Sequence, residues 1–270
     1  MKYDLHIHSN ITDGKHSRDE IINLAKCKGL EYIAFTEHNN YVEAADEGIT
    51  IIKGIEFDVK FEQSFHLLCY FPKFTEDINN LLVKYKSCTS ESTKKLVESI
   101  KSKFDLSDNF NFENISSKNG YKTKRDVISW LIHNGYADSP DEASKKYTGK
   151  KAISYVPKFS LSFEEVVECI HRSNGFTFLA HPESLKLSDN ELDTFLCKLK
   201  EKGLDGIEVL NSSKNDQKKE LYYMLLANRY ELMTSSGSDF HDISEHNLGV
   251  DNDYSIDLIQ NLLNDKKKKL

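Results

Sequence analysis

The sequence predicts an α/β fold built on a parallel sheet and interrupted by a helical insertion. Short apolar strands alternate with amphipathic helices towards both ends of the 270-residue chain. The stretch from Thr75 to Lys151 is polar, rich in lysine and helical in its periodicity, with no convincing strand. We therefore expect a sheet domain of residues 1–74 and 152–270, with residues 75–151 inserted as a helical subdomain. The insertion either is passive or covers the active site as a lid.

The elements before the insertion follow from local patterns. The chain enters a strand at once, Asp4 to His8, and Ser17-Arg18-Asp19-Glu20 has the form of a capping box that opens a helix ending at Gly29. Three further apolar runs predict strands: Tyr32 to Thr36, Ile49 to Ile55 and Phe65 to Phe71. Within the insertion, helical spacing groups Leu81, Leu82, Tyr85, then Leu96, Val97, Ile100, then Val127, Ile128, Leu131, Ile132.

The alternation of strands and helices resumes after the insertion. Ser162 and Ser188 each open a helix, and each helix leads into a strand, Phe176 to Ala180 and Gly206 to Leu210. A helix from about Lys218 to Asn228, the strand Leu232 to Ser235 and a last helix from about Ile256 complete the pattern. Alternation of this kind favours a parallel sheet.

Composition narrows the class of protein. With 39% hydrophobic residues the chain can bury a sizeable core, and its formal charge of −7 argues against a general nucleic-acid coat protein while allowing small anionic substrates. The five cysteines form no C-x-x-C pair, which favours a reducing compartment, and we expect the cytoplasm. No apolar run approaches the roughly 18 residues of a membrane span, so we expect neither a signal peptide nor a membrane contact.

The first strand carries the most informative pattern. His6 and His8 are one residue apart, so both project from one face, while Leu5 and Ile7 lie on the other and Asp4 lies on the polar side. Two imidazoles side by side suit a metal ion. The same alternation would also suit an ordinary surface strand.

Other ionisable residues repeat this behaviour at the ends of apolar strands. In a parallel barrel such ends converge on one mouth. Nine residues qualify, counting one in the loop after the first strand: His6, His8, Asp13, His38, Glu56, His66, His181, Asp239 and His241. A single zinc ion uses about three or four ligands. The set therefore predicts two or three ions that share a carboxylate, with Glu56 as the bridge, and such clusters suit phosphoryl transfer.

Some candidates allow a simpler reading. His66 could be a core histidine, and Asp13 in Thr12-Asp13-Gly14 could make a turn. Four other histidines lack the strand-end setting and are interpreted as surface or helix residues: His16, His133, His171 and His246.

The motifs that carry these residues resemble the PHP family, named for polymerase and histidinol phosphatase. They are Asp4-Leu5-His6-Ile7-His8-Ser9, Thr12-Asp13-Gly14, Thr36-Glu37-His38, Gly54-Ile55-Glu56, His66, Ala180-His181-Pro182 and Gly237-Ser238-Asp239-Phe240-His241. The resemblance implies a distorted seven-stranded (β/α) barrel, TIM-like in form, with a trinuclear manganese, zinc or iron site at its C-terminal mouth. It also implies that all nine candidates are metal ligands.

One branch of the family is especially similar: stand-alone phosphoesterases that act on nucleoside 3',5'-bisphosphates, some of which trim short RNA from the 5' end. The segments Arg125-Asp126-Val127-Ile128-Ser129-Trp130-Leu131, Lys146-Tyr147-Thr148-Gly149 and Tyr155-Val156-Pro157 carry this likeness. We expect a metal-bridging hydroxide to attack phosphorus in line. The second phosphate would need cations, which Arg125, Lys150, Lys151 and Lys158 could supply, and Tyr155 could stack on a base. A solvated basic face and simple packing are the alternatives.

Three rival functions follow from the same residues. Histidinol-phosphate phosphatase would use the same chemistry on another phosphomonoester. An amidohydrolase also uses His-x-His on a barrel but commonly bridges its metals through a modified lysine, whereas Glu56 has the bridging position here and Lys53 precedes it on the strand. An inactive metal-binding PHP module is the third. No stable protein partner is implied.

Overall fold

The computed structural model describes residues 1–117, 120–212 and 217–267. The chain forms two compact units: the first contains Met1–Leu81 and Leu161–Leu270, and the second contains Leu82–Ser160. The boundaries predicted from the sequence are Thr75 and Lys151.

Strands and helices alternate in the order that the sequence predicts. The strands are β1 Lys2–Ile7, β2 Tyr32–Phe35, β3 Thr50–Lys60, β4 Ser64–Tyr70, β5 Leu161–Ser162, β6 Phe176–Leu179, β7 Gly206–Asn211, β8 Met233–Gly237 and β9 Val250–Asp251. The α-helices are α1 Arg18–Cys27, α2 Glu76–Lys101, α3 Lys124–His133, α4 Pro140–Ala143, α5 Phe163–Arg172, α6 Asp189–Glu201, α7 Gln217–Arg229 and α8 Ile256–Lys267. A π-helical turn, Ser144–Thr148, follows α4, and a 3-10 turn, Pro182–Leu185, follows β6.

The main sheet has the order β8-β7-β6-β4-β3-β2-β1-β9, with β5 pairing with the end of β3. Strands β1, β2 and β3 are parallel, as are β6, β7 and β8. The expectation of a parallel sheet fails at β4, which runs antiparallel to both β3 and β6. The reason is that β3 does not end at Ile55 but continues to Lys60, and the chain turns back within three residues. A turn this short can only join antiparallel strands.

The two ends of the sheet approach each other, so the sheet is a nearly closed barrel. Ile7 at the end of β1 bridges to Phe240 in parallel, and the His8 amide donates to the Phe240 carbonyl at 2.9 Å. Gly237 makes this approach possible, because a Cβ atom there would lie 2.5 Å from the His6 Cβ. Closure brings the carboxyl ends of β1 and β8 side by side.

Helix caps and apolar clusters hold these elements in place. Capping boxes form at Ser17 and at Ser188, as predicted, and the Ser162 side chain accepts a hydrogen bond from the Glu165 amide. One buried cluster of the first unit gathers apolar side chains of β1, β2, β3, β4, β6 and α8, and a second joins α1 to residues of β1 and β2. These clusters fix the strands whose ends carry the polar residues.

The second unit has its own apolar cluster. Leu96, Val97 and Ile100 of α2 pack with Val127 and Leu131 of α3, which are residues that helical spacing singled out. Across the described part of the chain, no helix combines the length and apolar character required to cross a membrane.

Candidate metal centre

The polar residues singled out from strand ends meet at one mouth of the barrel. His6 lies in β1, and His8 and Asp13 follow it. His38 follows β2, His181 follows β6, and Asp239 and His241 follow β8. His66 lies near the start of β4. Because β4 is antiparallel to its neighbours, its start lies at the same edge as their carboxyl ends.

Glu56 lies at the centre of the group. It is inside β3, not at a strand end as predicted, and it is fully buried. Its Oε1 atom lies 2.9 Å from the His181 Nε2 and 3.0 Å from the His66 Nδ1. Its Oε2 atom lies 3.0 Å from the His38 Nδ1 and 3.1 Å from the His8 Nε2. The two oxygens of one carboxylate therefore face two different pairs of imidazoles.

Two aspartates extend the cluster on the other side of His8. The Asp239 Oδ1 lies 3.3 Å from the Nε2 atoms of both His6 and His8. The Asp13 side chain lies 3.5 Å from the His38 Nε2 and 3.4 Å from the His241 Nε2. Asp239 thus lies between the two imidazoles of the first strand segment, and Asp13 lies between imidazoles of two different loops.

The donor atoms form three overlapping groups in which every pair of atoms lies within 4.8 Å. The groups are His8, Asp13, His38 and His241; His6, His8, Glu56 and Asp239; and His38, Glu56 and His66. His181 belongs to none of the three, but its Nε2 contacts the Glu56 Oε1 and lies 3.2 Å from the His66 Nδ1. All nine predicted residues therefore lie in one connected cluster.

The residues present fit a metal centre. His6, His8 and Glu56 are completely buried. Among the residues that the structure describes, nothing offers a well-aligned hydrogen bond to the His6 Nε2, to either ring nitrogen of His8 or to the Glu56 Oε2. Buried polar atoms normally have hydrogen-bond partners, so buried atoms without one require an explanation. A bound metal ion would supply the missing partner. Mixed imidazole and carboxylate ligands suit zinc, manganese and iron alike.

The electrostatics of the cluster match this chemistry. Burial raises the pKa of the Glu56 carboxyl, but the surrounding imidazoles, His66 and His38 foremost, outweigh burial and hold the pKa well below its usual value. Burial likewise lowers the pKa of His8, while the carboxylates of Asp239 and Glu56 raise it to about 9. For His38 burial prevails and lowers the pKa to about 3. The acids at the centre are thus held in the charged form that binds cations.

Two residues of the cluster have unusual backbone conformations. His181 has φ of 27° and Asp239 has φ of 53°, both in the left-handed region that non-glycine residues rarely adopt. Such conformations cost roughly 1–3 kcal/mol each and persist only where neighbouring contacts enforce them. The His181 amide, for example, donates to the Glu208 Oε2 at 2.6 Å. Strain of this kind is concentrated at functional sites.

Sequence reasoning missed Glu208, which lies beneath the cluster in β7. It is buried, and its Oε1 accepts a hydrogen bond from the His6 Nδ1 at 2.9 Å. Its Oε2 accepts from the Asn211 side chain at 3.3 Å as well as from the His181 amide. The available signal was a charged residue between Ile207 and Val209 inside a buried apolar strand, instead of at its end.

Polar residues around the mouth order the loops that carry the cluster. Asp4 belongs to none of the three candidate donor groups, and its carboxylate accepts hydrogen bonds from the Ser238 amide at 3.0 Å and the Gly249 amide at 2.7 Å. The Glu37 carboxylate accepts from the Ser9 amide and from the Thr12 hydroxyl. These bonds fix the loop before Asp13.

Two of the histidines set aside from the sequence lie beside this mouth. The His246 Nδ1 accepts from the His241 amide at 3.3 Å, and the His16 Nε2 accepts from the Ile243 amide at 3.2 Å. Both are half-buried. They support the loop after β8 and were not separable, from the sequence, from surface residues.

The predicted substrate-binding residues all lie in the second unit. Arg125 is in the first turn of α3, and Lys150, Lys151, Tyr155 and Lys158 lie in the irregular segment after the π-helical turn. The four cationic side chains are exposed and Tyr155 is half-buried. Their contact with a substrate stays a prediction.

Comparison with known proteins agrees with the site. The family model for the PHP domain matches residues 4–192, which include seven of the nine clustered residues. The chain belongs to the PHP domain family. The PHP match begins at Asp4, two residues before the first histidine of the His-x-His pair, and extends through the segment that carries His181.

Relatives of this PHP protein match it over nearly their whole length. A 5'-3' exoribonuclease of Haemophilus influenzae is 23% identical over 249 residues, 89% of this chain and 90% of its own. A 3',5'-nucleoside bisphosphate phosphatase of Chromobacterium violaceum is 26% identical over 258 residues, 88% and 86% of the two chains. A Bifidobacterium adolescentis protein, assigned as a metal-dependent phosphoesterase, superposes with a TM-score of 0.73 at 22% identity over 96% of both chains. These findings confirm the predicted barrel-like fold and the predicted class, a PHP phosphoesterase.

Proposed function

We propose that this PHP phosphoesterase hydrolyses the 3'-phosphate of nucleoside 3',5'-bisphosphates and removes nucleotides from the 5' end of short RNA. The observation that carries the proposal is the group of nine imidazole and carboxylate residues centred on Glu56, which contains buried atoms without a well-aligned hydrogen bond from the described residues. The names of relatives that match this chain over most of their length support the choice of substrate.

Two or three divalent ions, manganese, zinc or iron, would be held by the nine clustered residues. When bound, such ions make water a nucleophile at neutral pH and neutralise charge on phosphate oxygens. The two oxygens of Glu56 face different histidines. The Oε1 atom lies next to His66 and His181, and the Oε2 atom lies next to His8 and His38. Asp239 and Asp13 supply the remaining negative charge that balances the cations.

Residues of the chain also bind the parts of the substrate that do not react. We assign the second phosphate to Arg125, Lys150, Lys151 and Lys158, because a phosphate dianion requires cationic partners and arginine can bind it with two hydrogen bonds. Tyr155 would stack on the base. Binding energy from these groups would position the reacting phosphate.

The partner of this protein is therefore a small phosphorylated nucleotide or a short oligonucleotide. Five free cysteines support a cytoplasmic location, since thiols persist in reducing compartments. This location and this partner complete the proposal.

Phosphate release by metal-stripped and reloaded protein tests the function. Protein treated with a chelator should be inactive, and manganese, zinc or iron should restore the release of phosphate from adenosine 3',5'-bisphosphate. Histidinol phosphate, assayed in parallel, distinguishes the main rival. Faster turnover of histidinol phosphate than of adenosine 3',5'-bisphosphate would identify histidinol phosphate as the better substrate. Inactivity on both compounds with all three metals would reject the proposed function.

A further inference from the structure

The charge of the chain is divided unequally between its two units. Residues 82–160 contain 15 lysines and arginines against 9 acids, a formal charge of +6. Because the whole chain carries −7, the remaining residues carry −13. A basic segment in an otherwise acidic protein attracts polyanions locally, although the net charge alone would exclude them.

The second unit also contains a groove of about 700 Å³. Its walls combine two half-buried aromatic rings, Phe112 and Phe159, with the exposed ammonium groups of Lys94 and Lys95 on α2. Serine side chains of the same helix also line the groove, and the one acid among the lining residues, Glu91, has its Oε1 atom 3.8 Å from the Lys95 Nζ. Aromatic faces, hydroxyls and ammonium groups are the three kinds of group that bind bases and phosphates of a single strand.

Further cations lie around the groove. The Lys122 ammonium lies 4.4 Å from the centre of the Phe112 ring, and the Lys122 amide donates to the Ser90 hydroxyl on the groove wall. Lys158 lies in sequence between the lining residues Pro157 and Phe159. The pKa of Lys124 is lowered, first by its own burial and second by the positive charge of Lys158. Two like charges held close together are stabilised by an anion between or above them.

We propose that this groove of the second unit binds a single-stranded segment of RNA, with bases against Phe112 and Phe159 and phosphates against Lys94 and Lys95. The inference extends the proposed function, because an enzyme that trims RNA must hold a chain longer than the nucleotide that it releases. The groove is assigned on residues of the second unit alone.

Binding of fluorescein-labelled poly(A) oligonucleotide to the chelator-treated full chain tests the phosphate contacts without hydrolysis. K94Q/K95Q removes two contacts, so the slope of log affinity against log salt should fall by about 1.4, and affinity in 0.1 M salt should fall about 25-fold. K2Q/K202Q is the matched control, because it removes the same two positive charges from lysines that are exposed and lie in the first unit. An affinity loss in K94Q/K95Q no larger than in this control would overturn the proposal.

Stacking is tested separately with F159L, which keeps apolar volume but removes the aromatic face. Affinity for poly(A) should fall about fivefold or more, while affinity for an abasic oligonucleotide of equal length should not change. Equal losses for both ligands, or none, would contradict stacking at this groove. Adenosine 3',5'-bisphosphate turnover by the metal-loaded variants should stay at the level of the unaltered protein. A protein that binds RNA as expected but hydrolyses no nucleotide would reject the proposed function and leave the groove assignment intact.

Discussion

The His6 Nδ1 donates a hydrogen bond of 2.9 Å to the Glu208 Oε1, and both side chains are buried. Burial lowers the pKa of His6, but the carboxylates of Glu208, Asp239 and Glu56 outweigh burial and raise the pKa well above its usual value. When the ring is neutral, as a metal ligand must be, its proton lies on Nδ1 because a carboxylate can only accept, and the Nε2 lone pair faces Glu56 and Asp239. The same carboxylate accepts from the His181 amide. Glu208 thus ties together two strands that deliver histidines to the centre.

Glu208→Gln should weaken metal binding about 10- to 100-fold, the usual effect of removing a group that orients a ligand. Glu208 accepts hydrogen bonds on both of its oxygens, whereas a glutamine side chain has only one accepting oxygen. The NH₂ group of the glutamine would therefore face either the His6 Nδ1–H or the His181 amide N–H, and that hydrogen bond would be lost. The measurements are metal affinity by calorimetry and the imidazole ¹⁵N shifts of the zinc-loaded protein, in which a ligating His6 is neutral and its shifts report the tautomer.

Glu220→Gln is the matched control for this change. It removes one negative charge from α7, where Glu220 contacts the Tyr254 hydroxyl and none of the nine clustered residues. It should leave both readouts unchanged. Unaltered His6 shifts and unaltered metal affinity in Glu208→Gln would show that the carboxylate serves only to stabilise the barrel.

The difference between the predicted and the missed residues has a physical cause. His38 and Asp239 were predictable because each follows an apolar strand, where an ionisable group is conspicuous. Glu208 lies inside β7, where strand alternation is the same whether the inward side chain is a ligand or a solvated acid. Its partners come from distant strands and therefore leave no local pattern.

The direction of β4 shows a second limit of sequence reasoning. The run Phe65 to Phe71 predicts a strand, but its direction depends on the turn between Lys60 and Ser64, which contains no glycine or proline to mark it. Alternation of strands and helices predicts the parallel remainder of the barrel well, because each of those strands is followed by a helix or a long connection.

His181→Ala or Asp239→Asn should abolish phosphate release while the protein stays folded. Asp239→Asn removes a negative charge from the cluster, and His181→Ala removes an imidazole. The loss of activity should exceed the roughly 100-fold expected for a residue that only hydrogen-bonds to a ligand. Circular dichroism checks the fold. Asp193→Asn, which alters an acid on α6 that pairs with Arg229, is the control and should retain activity. Full activity in either cluster variant would remove that residue from the proposed ligand set.

Arg125→Ala should raise KM for adenosine 3',5'-bisphosphate about 10- to 100-fold, since a hydrogen bond to a charged group contributes roughly 1.5–3 kcal/mol. KM for an aryl phosphate, which has no second phosphate, should not change. Arg229→Ala, in an exposed arginine of α7, provides the comparison. If both substrates suffer equally from loss of Arg125, its assignment to the second phosphate is wrong.

His171→Gln should lower the melting temperature more in acid than in alkali. His171, on α5, hydrogen-bonds to the Asp205 Oδ2 at 2.8 Å, and this bond raises the pKa of the imidazole above its ordinary value of 6.5. A raised pKa means that the folded state favours the protonated ring, so the stabilisation is complete below pH 6.5 and is lost as pH rises through the folded pKa. The side chain is 39% exposed, so solvent screening keeps the effect small. Thermal unfolding across this pH range, with His133→Gln on α3 as the control, measures it. A melting-temperature difference that is independent of pH would show that His171 stabilises α5 by packing alone.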